Sequence, residues 1–254
     1  MTLRPACHQV DEDGDWRGGR VGASRYSERM CNRYRPADKE AIEAKWQLKP
    51  GKLWKPAIGP WGEGPFIRLA SGAPELVVGQ WALIGDGDTK AVSRPRMTNN
   101  ARVESLDKLR TFKGPWARGQ RCVIPAESYD EPNWEGGSNV WWRMRRADGQ
   151  PWHLAGLWNV WTDQATGEIH ESYTMITMNC DAHPLLRRLH KPDPFLSPDK
   201  QDKRSVVPLE IADLRSWLAG TINEATTLIR LAPVAVFEAG PADERSHLPP
   251  QSAR

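Results

Sequence analysis

Residues 140–158 dictate a β-hairpin. Val140-Trp141-Trp142-Arg143-Met144-Arg145-Arg146 and Trp152-His153-Leu154-Ala155-Gly156-Leu157-Trp158 are rich in the aromatic and branched side chains that suit a pleated surface. Between them, Ala147-Asp148-Gly149-Gln150 supplies the Asp-Gly pair of a tight hairpin turn, whose positive φ glycine adopts without a Cβ clash. Further strand signals surround the hairpin: 66–69 and 75–84 about the turn Ser71-Gly72-Ala73-Pro74, then 121–125, 172–178, 204–209 and 232–237. Helical patterns are short. Ile42 and Trp46 share a face in 37–46, part of 103–112 reads as helix, 181–190 reads as another, and Ile211, Leu214, Trp217 and Leu218 form one stripe in 211–218. Many strands and few helices predict an α+β fold, a strongly bent, barrel-like, mostly antiparallel β-sheet with a few peripheral helices.

One domain is expected over 30–238. Residues 1–29 are rich in Gly, Arg, Asp and Ser without apolar periodicity and read as a disordered or untranslated extension, while the Pro-containing 239–254 reads as a disordered tail. The net charge is +3, from 35 basic and 32 acidic residues, so any nucleic-acid contact must rest on local patches such as the basic connection 86–120. The 13 Trp against 4 Phe and 4 Tyr serve as core filler or as stacking surfaces for bases. Cys7, Cys31, Cys122 and Cys180 show no C-x-x-C spacing and no zinc framework with the histidines, so reduced thiols without a metal or organic cofactor are expected. No apolar run approaches the roughly 18 residues of a membrane span, and the N-terminal stretch lacks the apolar core of a secretory signal. These readings predict a cytoplasmic monomer without membrane contact.

Met30-Cys31-Asn32-Arg33-Tyr34 stands where the composition changes abruptly. If translation begins at Met30, or cleavage follows it, Cys31 carries an α-amine and a thiol on adjacent carbons. Such an aminothiol traps aldehydes: the amine condenses to an imine, the thiolate adds to the same carbon, and a thiazolidine ring closes. An internal Cys31 has only an amide nitrogen and cannot do this. The alternative for Cys31 is a buried structural thiol, since free cysteine is among the most buried residue types.

Several stretches together resemble one family, the SOS response-associated peptidases (SRAP). Met30-Cys31-Asn32-Arg33-Tyr34 is similar to its N-terminal Met-Cys-Gly-Arg-aromatic signature, with Asn32 in place of glycine. Asn100-Ala101-Arg102-Val103-Glu104 resembles its Asn-Ala-Arg-x-Glu motif, and Arg121-Cys122-Val123-Ile124-Pro125-Ala126-Glu127-Ser128-Tyr129-Asp130-Glu131 resembles its Arg-Cys-x-x-Pro-Ala stretch ending in Glu. Ala155-Gly156-Leu157-Trp158, Thr174-Met175-Ile176-Thr177, His190-Lys191-Pro192 and Lys203-Arg204-Ser205-Val206-Val207 follow in the family's order, with an insertion between His190 and Arg204. Trp81-Ala82-Leu83-Ile84-Gly85 departs from the family's Trp-Gly-Leu-Ile-Pro.

The resemblance implies a sensor of abasic sites in single-stranded DNA, which captures the aldehyde of the ring-opened sugar as a thiazolidine and makes a DNA–protein crosslink. It implies Cys31 as nucleophile, Glu131 as the proton shuttle beside the amine, His190 as general acid/base at the sugar oxygen with His183 as fallback, and Asn100 orienting amine or sugar. Thr177 assists by hydrogen bonding, Arg33 and Arg102 bind flanking phosphates, and Trp81 packs beside the site or stacks on a base. Arg143, Arg145 and Arg146 read as solvated surface arginines, and Cys122 and Cys180 as core thiols. Two alternatives remain. One is a thiol peptidase with autoproteolytic activity, using Cys31, His190 and Glu131; the other is a non-covalent single-stranded DNA-binding module using tryptophans and arginines.

Overall fold

The computed structural model describes residues 32–88 and 97–242. Strands β2 (Glu63–Ala70), β3 (Ala73–Trp81), β5 (Arg121–Asn133), β7 (Trp152–Thr162) and β8 (Ile169–Asn179) close into a five-stranded barrel in the order β7-β8-β3-β2-β5, with β5 returning to β7. All its pairings are antiparallel except β3 with β8. β6 (Val140–Arg146) and β11 (Phe237–Pro241) extend the sheet beyond β5, and β10 (Pro208–Leu209) pairs with β7. β1 (Tyr34–Pro36) lies on β5, while β4 (Asn100–Arg102) and β9 (Arg204–Val206) both lie on β8. The helices α1 (Lys39–Trp46), α2 (Arg110–Ala117), α3 (Leu214–Ala219) and α4 (Ile222–Thr227) are short. The bent, barrel-like α+β fold expected from the strand signals is the fold observed. Among the described residues, no helix is long and apolar enough to cross a membrane.

The period-two alternation of the strands divides the core. Cys122, Ile124, Tyr173 and Met175 pack with Tyr34, Phe66, Trp81 and Trp152 on one face. Their neighbours Val123, Ala155, Leu157 and Ile176 face the other way, where Ile42, Phe112, Trp116 and Trp217 from the helices cover them. Gly156 marks a close approach between strands, since a Cβ there would lie 2.6 Å from the Thr174 carbonyl and 2.9 Å from Cys122 Sγ. Gly149, at φ +71°, makes the expected hairpin turn.

Several local expectations are corrected. The helix expected in 103–112 is a single 3-10 turn, Val103–Ser105, and the helix itself comes later as α2, across Gly114-Pro115. Packing of Phe112 and Trp116, one turn apart and both buried, overrides the two helix breakers. In 181–190 only Leu186–Arg188 forms a 3-10 turn, because Pro184 disfavours a helical His183. The expected strand 204–209 splits at Val207, whose N–H goes to Ile176 while its carbonyl accepts from Ala155; β9 then pairs with β8 and β10 with β7. Ile211 lies in a 3-10 turn and is exposed, so it leaves the stripe that Leu214, Trp217 and Leu218 form. The last strand begins only at Phe237 and runs to Pro241 against β6, inside the expected tail. α4 was not expected, although Thr221 and Glu224 form the capping box that announces it.

Candidate active site

One end of the sheet gathers the residues of interest. β5 is thirteen residues long and carries Asp130 and Glu131 past the barrel. The Asp130 N–H donates to the Arg33 carbonyl at 3.0 Å, which extends the β1 pairing toward the N-terminus. Asn32 is also tethered, because Asn99 Nδ2 donates to Asn32 Oδ1 at 3.1 Å. The Asn99 backbone is held in turn: its carbonyl accepts from Trp81 Nε1 at 2.8 Å and from the Met175 N–H at 2.9 Å. Asn32 and Arg33 are therefore anchored to the residues next to Asn100 and Glu131. Cys31, the residue before Asn32, lies outside the described residues, as do Cys7 and the extension 1–29.

Glu131 and His190 meet. Glu131 is 1% exposed, and its Oε2 lies 3.6 Å from Nε2 of His190, which is 2% exposed. His190 has φ +63°, a left-handed conformation that costs a side chain with a Cβ of order 1 kcal/mol or more and is kept only where the surroundings hold it. Two bonds do so: the His190 N–H donates to the Pro132 carbonyl at 2.5 Å, and Nε2–H donates to the Arg204 carbonyl at 2.7 Å. That leaves Nδ1 as the lone-pair nitrogen, with no hydrogen-bond partner among the described residues. Burial lowers the His190 pKa to about 4, with Lys203 adding to the effect against the opposing Arg204 carbonyl. At neutral pH the imidazole is uncharged, so its closeness to Glu131 is a polar contact between a carboxyl group and a neutral ring.

The support under His190 comes from residues to which the sequence reading gave no role. The Arg204 guanidinium is gripped by both Glu104 oxygens, one at 2.8 Å, and also pairs with Asp202. Glu104 is the last residue of the Asn-Ala-Arg-x-Glu motif, so β4 and β9 are locked together where the carbonyl for His190 originates. Arg102, on β4, stands opposite Thr177 in the β4–β8 register and donates to Asp202 at 2.9 Å while staying partly exposed. Thr177 is buried, and its Oγ1 has no hydrogen-bond partner among the described residues. Asn100 is buried on β4. Arg33 is partly exposed, its Nε 3.8 Å from Asp130 Oδ2.

Burial decides between the open readings of Trp81 and His183 and changes those of Arg143 and Arg146. Trp81 is fully buried, edge-on to Tyr34, with its N–H spent on Asn99, so it supports the site and offers no face to a base. His183 is a structural histidine: Nδ1 accepts from the Leu185 and Leu186 N–H groups, which leaves Nε2–H to donate to the Ala232 carbonyl at 3.0 Å. Arg143 is a buried partner of Asp130, not a solvated surface arginine, and Arg146 is held by Asp148 and Glu210 over the Trp152 ring. Arg145 is half-buried, its Nε 3.8 Å from Glu127 Oε1. Cys122 and Cys180 are core thiols whose pKa values burial pushes up; at Cys180 the nearby Glu131 adds to this. Among the described residues, no group of three or more His, Cys, Asp or Glu is placed to hold a metal ion.

Burial also lowers His153 to about 4, with Lys45 and Arg146 adding to the effect. His153 and His190 thus stay neutral in the folded protein, whereas an unfolded histidine protonates near pH 6.5. The unfolded chain binds more protons between pH 6.5 and 4, so the stability present above pH 6.5 falls as the pH drops through that window. A loss on the order of 2 kcal/mol per histidine by pH 5 is expected in urea unfolding, and a stability that stays flat from pH 7 to 5 contradicts these two assignments.

Comparison with known proteins relates the sequence and the fold to others. A protein from Bordetella bronchiseptica of known structure is 32% identical over 84% of this chain and 100% of its own, with a TM-score of 0.76. A protein from Bacteroides thetaiotaomicron (20% identity, 84% and 93% coverage, TM-score 0.69) shares the fold. So does a phage-related protein from Bordetella bronchiseptica (18% identity, 85% and 94% coverage, TM-score 0.59). A search of curated proteins finds no significant match. The profile described as SOS response associated peptidase matches residues 30–244, a span that contains every strand above, the buried Glu131–His190 pair and the locked Glu104–Arg204 contact; the chain belongs to the SRAP family.

Proposed function

We propose that the protein captures abasic sites in single-stranded DNA covalently, through Cys31 with its α-amine free. The observation that carries this reading is the double anchoring of Asn32 and Arg33 to the neighbours of Asn100 and Glu131, which leads the chain that follows Cys31 toward the buried Glu131–His190 pair. The α-amine, part of which is unprotonated at neutral pH, attacks the aldehyde carbon of the ring-opened deoxyribose. Loss of water gives an imine, addition of the Cys31 thiolate to that carbon closes the thiazolidine, and the thiol proton ends on the ring nitrogen. Glu131 accepts the proton released by the attacking amine and returns it to the departing hydroxyl. His190, neutral and with Nδ1 as its acceptor, takes the hydroxyl proton of the sugar and returns it to the ring oxygen as the ring opens, while Asn100 and Thr177 orient amine and sugar. Arg33 and Arg102 hold the flanking phosphates, and the protein acts as a monomer.

The same three side chains are those a thiol peptidase needs, so the electrophile separates the two readings. Protein beginning at Cys31 is expected to give a shifted band in a denaturing gel with single-stranded DNA carrying one abasic site. The band should be absent for Cys31→Ala and for a form in which residues 1–30 remain attached. A band of undiminished intensity in either form, or none with the free cysteine, sinks the proposal. Release of a species beginning at Cys31 from the extended form, blocked by Glu131→Ala, shows autoproteolysis.

A further inference from the structure

The insertion between His190 and Arg204 is a built loop. Its ends meet at the site, where His190 Nε2 donates to the Arg204 carbonyl at 2.7 Å. Gln201, buried beneath it, accepts from the Asp193 N–H at 2.6 Å and donates from Nε2 to the carbonyls of Asp193, Leu196 and Ser197. Asp193 Oδ1 accepts from the Phe195 N–H at 3.0 Å, and Pro192, Pro194 and Pro198 restrict φ around the tip. At the tip Phe195 is 89% exposed, the most exposed large hydrophobic side chain among the described residues, with Leu196 exposed beside it. The loop's hydrogen bonds hold this ring with its faces open to solvent, where a flat ligand can lie against it.

We infer that Phe195 is a stacking platform for an unpaired nucleobase next to the site, and that the 191–203 loop exists to present it. The inference rests on the reading of the protein as a captor of single-stranded DNA and adds the element that holds the neighbouring nucleotide. One ring and one leucine are far too small for a stable protein interface but match the face of a base. The charges agree: Asp193 caps the Phe195 N–H and Asp202 is engaged by Arg102 and Arg204, while the exposed Lys200 adds positive charge near the tip, with Asp199 as a further acid. Lys191 Nζ sits 4.6 Å above the Trp134 ring, which places this cation at the base of the loop next to His190.

The test is fluorescence titration of the full chain with a short undamaged single-stranded oligonucleotide carrying 2-aminopurine, so that affinity is read whether or not any covalent step occurs. Phe195→Ala is expected to weaken binding about ten-fold and to abolish the stacking quench, Phe195→Trp to retain both, and thermal unfolding to be unchanged in each. Binding and quenching by Phe195→Ala equal to wild type overturn the inference, as does a wild-type protein that fails to bind the oligonucleotide; a protein partner as the true ligand of the ring gives the first of these results. Normal binding of this probe by protein beginning at Cys31, without a crosslink from that same protein to abasic DNA, overturns the capture reading alone.

Discussion

Glu131→Gln is expected to slow crosslink formation by about 10²–10⁴-fold while leaving the fold intact. The exchange keeps the shape and volume of the side chain, so the packing of β5 survives, but it removes the group that accepts a proton. Glu131 is almost fully buried with its carboxyl 3.6 Å from His190 Nε2, and bulk water is a poor substitute as a proton carrier there. The check is a single-turnover rate on abasic single-stranded DNA, with the thermal midpoint measured beside it. A rate within a few-fold of wild type removes Glu131 from proton transfer and leaves it a structural role.

The second large effect falls on stability. Arg143→Ala is expected to cost about 3–5 kcal/mol in urea unfolding, because it strands the Asp130 carboxylate in the interior. Arg143 and Asp130 are 4% and 2% exposed, and the guanidinium meets the carboxylate in two bonds, Nε to Oδ1 at 2.8 Å and Nη2 to Oδ2 at 3.1 Å. Arg33, 3.8 Å away, is partly exposed and cannot replace it. Replacing both partners with apolar residues of similar volume should recover most of the loss, since what is costly is the unpaired charge. A loss below about 1 kcal/mol for Arg143→Ala would show that water reaches Asp130. The same carboxylate belongs to the residue whose N–H holds the Arg33 carbonyl, so loosening it should also lower the capture rate.

How much of this was legible depends on the range of the physics involved. The barrel was readable because alternation and the Asp148-Gly149 turn are local, and β6 spans the residues its composition marks. Short helices were less readable: α2 is placed by Phe112 and Trp116 finding the sheet, which no local propensity through Gly114-Pro115 announces. α4 carried its own signal in Thr221 and Glu224. At the site, motifs pointed to Glu131 and His190, but only the fold puts them together, with a left-handed His190 pinned by Pro132 and Arg204. Arg143 read as a surface residue because its register opposite Asp130 belongs to the β5–β6 pairing and not to its own strand. Trp81 shows the converse limit, since an indole's composition does not tell a buried face from an offered one.

The central claim is that Cys31 bonds through both its nitrogen and its sulfur. Mass mapping of the crosslinked complex, after nuclease and protease digestion, reads this directly. The account predicts one modified peptide beginning at Cys31, heavier by the sugar remnant less one water, with both its α-amine and its thiol resistant to labelling. A remnant on a lysine, or a modified Cys31 whose amine or thiol still reacts, contradicts it.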